Sequence, residues 1–191
     1  MKCVCVLGSP RTNGNSELLA QTFLKTMESL GAETKTFALN KLKYRGCQAC
    51  MACKKNLETC AVKDDLIEVL DAVREADVLV LASPVYYGDL TSQAKAFVDR
   101  TYCYLAPDFM TCPNPSRLAP GKKLVFIQVQ GHPDPSQFND IYPKYSNFLK
   151  WYGFEESYLL RSTGVGDKGD VNKYPQVLEE AKNIAHKICQ Q

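Results

Sequence analysis

Two regimes alternate along the chain: short, dense apolar runs, and longer stretches whose apolar residues recur every three or four positions. The dense runs predict five strands: Cys3 to Leu7 (CVCVL), Glu33 to Leu39, Asp77 to Ala82, KKLVFIQVQG from Lys122, and Phe154 to Arg161. Helical spacing is clearest in ELLAQTFLKTMESLG, where Leu18, Leu19, Phe23, Met27 and Leu30 share a face. There Asn15 or Ser16 offers a cap and Gly31 marks the end. Further helices are predicted from Asp64-Asp65 to about Glu75, from about Thr91 to Tyr104, from Gln137 to Tyr152 and from Tyr174 to Cys189. Five strands alternating with five helices imply an α/β chain with a parallel sheet covered on both faces, and the Val/Leu/Ile-dense strands agree. A five-strand chain of this kind suggests the order 2-1-3-4-5, with ligands beyond the carboxyl ends of the strands, near the switch between the first and third. Residues 105–121 carry four prolines and little periodicity, and read as a surface loop.

Composition narrows this picture only in places. At 191 residues the chain is expected to be one domain, 1–191, with a Cys-rich loop at about 44–63. A formal charge of +2 is too small to argue for nucleic acid or a membrane surface as partner. Met1-Lys2 leads straight into a strand and no run of about 18 apolar residues exists, so neither a leader nor a membrane span is expected. The expected location is the cytoplasm, where thiols stay reduced. Nine cysteines then need a use other than disulfides, as metal ligands or redox groups.

The first strand runs into GSPRTNGNS, Gly8 to Ser16, and then a helix. Backbone N–H groups at such a helix start, helped by Ser9, Asn15 and Ser16, can cradle a dianionic phosphate. The loop is neither GxGxxG nor a Walker loop, and a plain polar turn with a good cap is the alternative. GSPRTNGNS together with SPVYYGDLTSQAKAFVDR, some seventy residues on, resembles the NADPH-dependent FMN reductase branch of the flavodoxin-like superfamily over about residues 3–161. The resemblance implies a flavodoxin-like three-layer sandwich that binds FMN. Its phosphate would lie on Ser9, Arg11, Asn15 and Ser16, and its isoalloxazine ring against Pro84, Val85, Tyr86, Tyr87 and Gly88. A flavin needs a flat wall and N–H donors near N1, O2 and N5 to set its potential. The loop Gln130-Gly131-His132-Pro133-Asp134 is similarly placed, with His132 a candidate proton donor and a simple turn residue its alternative.

Residues 46–60 read GCQACMACKKNLETC, so Cys47, Cys50, Cys53 and Cys60 give C-x2-C-x2-C-x6-C. Zinc sites usually pair two knuckles across a longer loop, whereas a third Cys at the same short interval suits a cubane wrapped by a tight loop. A 4Fe–4S cluster on these four residues is the expectation, with free or zinc-bound thiols as alternatives. Followed by Lys63-Asp64-Asp65, the pattern resembles the iron–sulfur flavoproteins of anaerobic microbes, a group within the same FMN family. Residues 41–63 hold six basic residues (Lys41, Lys43, Arg45, Lys54, Lys55, Lys63) against Glu58 alone. They would offset a cluster's negative charge or steer an acidic donor such as ferredoxin, unless they are merely a solvated rim. Cys3 and Cys5, in a buried strand, read as small hydrophobes.

The expected protein is an oxidoreductase passing electrons from a low-potential carrier through the cluster and FMN to an acceptor, as a homodimer or homotetramer of the family's type. A cluster-free NAD(P)H-dependent FMN or quinone reductase is the alternative. A non-enzymatic redox carrier or redox-responsive regulator is another.

Overall fold

The structure, a computed structural model, describes residues 1–190. Its five strands are β1 (Lys2–Leu7), β2 (Glu33–Ala38), β3 (Val78–Pro84), β4 (Lys122–Val129) and β5 (Phe154–Ser162). The helices are α1 (Asn15–Ser29), α2 (Ala52–Lys55), α3 (Leu66–Glu75), α4 (Ser92–Arg100), α5 (Ile141–Lys150) and α6 (Pro175–Cys189). All strand pairs are parallel and the order is β2-β1-β3-β4-β5, as the alternation of strands and helices requires.

The strand side chains divide by parity. Val4, Val6, Leu79, Leu81, Leu124 and Phe126 point to the face covered by α3, α4 and α5. Their neighbours Cys3, Cys5, Val78, Val80, Val125 and Ile127 pack against Phe23 and Met27 of α1 and Ala181 and Ile188 of α6. Period-two alternation on a sheet buried on both sides therefore makes both registers apolar. Cys3 and Cys5 are indeed packing residues, and burial pushes the Cys3 thiol up to about 12.

Two predicted helix boundaries move for local reasons. The helix expected from Gln137 starts at Ile141, because Phe138 takes a left-handed conformation with φ 62°. The later start also puts Pro143 in the first turn, where its missing N–H costs nothing. The helix expected to reach Tyr104 changes at Thr101 into a tighter 3-10 turn, Thr101–Tyr104. A short helix not foreseen, α2, forms inside the cysteine segment.

Candidate functional site

Parallel order brings the carboxyl ends of β1 and β3 together, and the two following loops are locked to each other there. Gly8 N–H donates to Ala82 O at 2.8 Å, and the buried Thr91 hydroxyl donates to Gly8 O at 2.7 Å. The same hydroxyl accepts from Ala94 N–H, capping α4. Only glycine fits at position 8, since an added Cβ would lie 2.7 Å from the Ala94 Cβ.

Beyond this junction lies a cavity of about 200 Å³. Ser9, Arg11, Asn15 and Ser16 line one side, and Pro84, Val85 and Tyr86 the other, so the two segments singled out in the sequence meet in one site. Gly14 precedes α1 without any side-chain cap, which leaves the first-turn N–H groups free to face the cavity. Ser9 accepts from Arg11 N–H at 3.1 Å, holding the loop tight. Ser16 is buried and makes no side-chain hydrogen bond among the described residues.

Asn15, expected as a phosphate contact, lines the cavity and has its side-chain amide engaged with the loop after β5. Its amide donates to Asp167 O at 2.8 Å and accepts from Val171 N–H at 3.2 Å. It thus fastens the loop after β5 beside the site. Arg11 reaches the same loop, donating to Gly166 O at 2.9 Å. That loop supplies Val165, Gly166 and Lys168 to the cavity wall, a contribution the sequence reading missed although the glycine-rich GVGDKGD hinted at it. Gly131 also lines the wall. His132 is exposed and lies outside the cavity lining, its Nδ1 accepting from Asp134 N–H at 3.2 Å, as a turn residue would.

Tyr86 and Asp89 exchange backbone hydrogen bonds of 2.9 and 3.1 Å around a two-residue turn. Both central residues have positive φ, 51° at Tyr87 and 79° at Gly88, the type I′ geometry. Tyr87 is fully exposed at the tip, and the left-handed conformation of a bulky residue there stores local strain. A helix start with free N–H groups, two hydroxyls, two cations and an aromatic turn suit a phosphorylated ligand with a flat ring.

The cysteine segment lies on the α3–α5 face. Its base is closed by Asp64, whose carboxylate accepts from Arg45 N–H (3.1 Å), Leu66 N–H (3.1 Å) and both terminal nitrogens of Arg100 (2.8 and 3.2 Å). Asp65 turns back to accept from Lys43 N–H at 2.7 Å. Burial pushes the Asp64 carboxyl up, but the hydrogen bonds from Arg100 and the backbone win and hold it below the usual carboxylate range. The two acids at the start of α3 thus also clasp the cysteine segment.

The far side of the segment is bolted to the 3-10 turn. Lys54 Nζ donates to Tyr102 O and Leu105 O, both at 2.6 Å, and sits 4.1 Å from the Tyr102 ring centre. Arg117 donates to Cys53 O at 2.9 Å and Cys103 O at 3.1 Å. Lys54 is thus a half-buried anchor; Lys41, Lys43, Arg45, Lys55 and Lys63 stay exposed.

Cys47, Cys50, Cys53 and Cys60 line one cavity of about 730 Å³, joined by Cys103, which the sequence gave no reason to place there. Ala49 and Met51, on either side of Cys50, are left-handed with φ 50° and 58°. Left-handed residues of this kind are a component of the backbone nests found at many iron–sulfur sites. Among the described residues no three Cys, His, Asp or Glu side chains converge on a point that one metal ion could occupy. A cubane puts each thiolate on its own iron, so its ligands ring a body instead of meeting at a point. The donor set, the left-handed residues and the cavity fit a cluster better than a mononuclear ion. Asp89 lines this cavity too, so the Tyr86–Asp89 turn contributes one end to each cavity.

A doubly wound parallel α/β fold with a cavity at its topological switch point belongs to the class that binds ligands beyond the carboxyl ends of its strands. The chain matches the NADPH-dependent FMN reductase family over residues 1–137 and belongs to it. It is 39% identical over 104 residues to an iron-sulfur flavoprotein of Archaeoglobus fulgidus, covering 54% of this chain and 47% of that protein. With an iron-sulfur flavoprotein of Methanosarcina thermophila it shares 35% over 101 residues, 53% of this chain and 52% of that one. The chain spans about half the length of these curated relatives. Among solved structures, an NAD(P)H:quinone oxidoreductase from Methanothermobacter marburgensis superposes with TM-score 0.73 at 14% identity, over 98% of this chain and 96% of that chain. A Bacillus anthracis FMN-dependent NADH-azoreductase in complex with FMN gives 0.70 at 14%, over 98% and 99%. These two show the fold. No helix among the described residues is long and apolar enough to cross a membrane.

Proposed function

We propose that the chain is an FMN-dependent electron-transfer oxidoreductase carrying a 4Fe–4S cluster on Cys47, Cys50, Cys53 and Cys60. The observation that carries the reading is the four thiols lining one cavity, on a loop clasped by Asp64 and bolted by Lys54, whose wall includes the end of the Tyr86–Asp89 turn. When bound, the cluster supplies single electrons and the flavin stores one or two.

The chain's own residues then bind and position. The α1 N-terminus, Ser9, Ser16 and the Lys168 side chain hold the FMN phosphate. Arg11 and Asn15 fix the loop after β5 as the third wall. Pro84, Val85 and Tyr86 bear on the ring, with Tyr87 and Gly88 forming the projecting tip. The exposed cations from Lys41 to Lys63 steer an acidic donor of the ferredoxin type. A homodimer or homotetramer in a reducing cytoplasm completes the reading, in keeping with nine free cysteines.

A second reading, a cluster-free NAD(P)H-dependent FMN or quinone reductase, draws on the exposure of Cys47 and Cys50. One experiment separates the two: iron, acid-labile sulfide and FMN per chain on protein purified without oxygen. About four irons, four sulfides and one FMN are expected. One FMN with no iron after reconstitution would overturn the cluster and leave the second reading. Tight complex formation with one protein but slow turnover with every reductant would make the chain a carrier or regulator instead.

A further inference from the structure

Arg100 is the one charged side chain of the thiol-lined cavity that lies wholly inside the protein, with its residue only 1% exposed. Its two terminal nitrogens are fully engaged, with Asp64, Arg45 O at 2.8 Å and Val62 O at 2.9 Å. The fifth N–H, on Nε, is fully buried and has no acceptor among the described residues. A buried unsatisfied donor on a charged group is costly, and native structures rarely keep one without a use. Cys60 shares the cavity wall with Arg100 and is itself only 9% exposed.

Resting on the cluster reading above, we propose that Arg100 Nε–H donates a hydrogen bond to the Cys60 sulfur or the cluster sulfide beside it, and thereby raises the cluster's reduction potential. Reduction adds one electron to the cluster and no proton moves, since the guanidinium stays charged throughout. A fixed N–H and a buried positive charge favour the more negative, reduced state. The ion pair with Asp64 and the bonds to Arg45 O and Val62 O hold the fork in place and leave Nε as its uncommitted donor. Arg100 is a positioning and tuning residue, and it explains why the loop is clasped at Asp64 rather than elsewhere.

The test uses intact protein made with 15N-labelled arginine, carrying its cluster and FMN. Iron and sulfide are counted first; the dithionite-reduced cluster is then examined by pulsed electron paramagnetic resonance for 15N coupling. Coupling in the unsubstituted protein that persists in Arg117→Lys assigns the donor to Arg100. Arg100→Lys keeps the charge but has no N–H at the Nε position. It should lose the coupling and shift the one-electron equilibrium at least tenfold against reduction, a fall of about 59 mV. A full cluster with no 15N coupling in the unsubstituted protein overturns the assignment without any variant, as does coupling lost in Arg117→Lys. Absence of iron after reconstitution overturns the cluster reading itself, and this inference with it.

Discussion

Replacing Thr91 by valine tests how the loops after β1 and β3 are held together. Thr91 is fully buried, and its hydroxyl makes two bonds: to the Gly8 carbonyl at 2.7 Å and from the Ala94 N–H at 3.2 Å. Valine matches threonine in shape, so no cavity opens and packing loss is negligible, but both partners are orphaned in a dry junction. Losing the α4 cap costs about 1 kcal/mol. Leaving the buried Gly8 carbonyl unsatisfied adds about 1–3 kcal/mol. The expected loss is therefore about 3 kcal/mol. With a urea slope of about 2 kcal/mol/M, the unfolding midpoint of the apoprotein should fall by about 1.5 M. Thr91→Ser keeps the hydroxyl and gives up one methyl, about 0.8 kcal/mol. A valine variant within about 0.5 kcal/mol of the parent, or a serine variant as damaged as valine, would refute this account of the junction.

Other expectations follow from the same structure. Cys50→Ser should abolish the iron content while leaving FMN bound, measured by metal analysis and the visible spectrum; unchanged iron would remove Cys50 from the ligand set. Asn15→Ala should lower apoprotein stability by about 1–3 kcal/mol, because Val171 N–H and Asp167 O lose their partner. Ser16→Ala should spare apoprotein stability and weaken FMN binding, and calorimetric titration with FMN tells the two apart. Gly8→Ala should cost about 1–3 kcal/mol by forcing its Cβ against Ala94, read as a drop in thermal midpoint. Asp64 is held below the usual carboxylate range, so its stabilisation is present above about pH 4 and is lost as pH falls through its lowered folded pKa. Asp64→Asn should thus be less stable at neutral pH and show a shallower acid limb in urea midpoints between about pH 5 and 3.

Much of this was legible because it is local or periodic. Strand density, helical spacing and the cap-and-stop residues depend on a few neighbours, so the order of elements and the parallel sheet could be read from residues 2–189. The loops GSPRTNGNS and SPVYYG were legible because parallel topology forces the ends of β1 and β3 together. Boundaries failed where one residue's conformation overrode the pattern, as at Phe138, whose positive φ no propensity announces.

What the sequence by itself determined is the kind of chemistry: four thiols at short intervals, a phosphate-type loop, and an aromatic turn, each carried by contiguous residues. Only the tertiary structure decided who serves whom. It fastened Asn15 to the loop after β5, made Lys54 an anchor under the 3-10 turn, and set Asp64 as the clasp on Arg100. It also brought Cys103 and the loop after β5 to walls their sequence positions do not suggest. The physical reason is separation along the chain. Arg100 and Asp64 lie 36 residues apart and Asn15 and Asp167 lie 152 apart, so the choice of partner rests on packing geometry that no local pattern encodes.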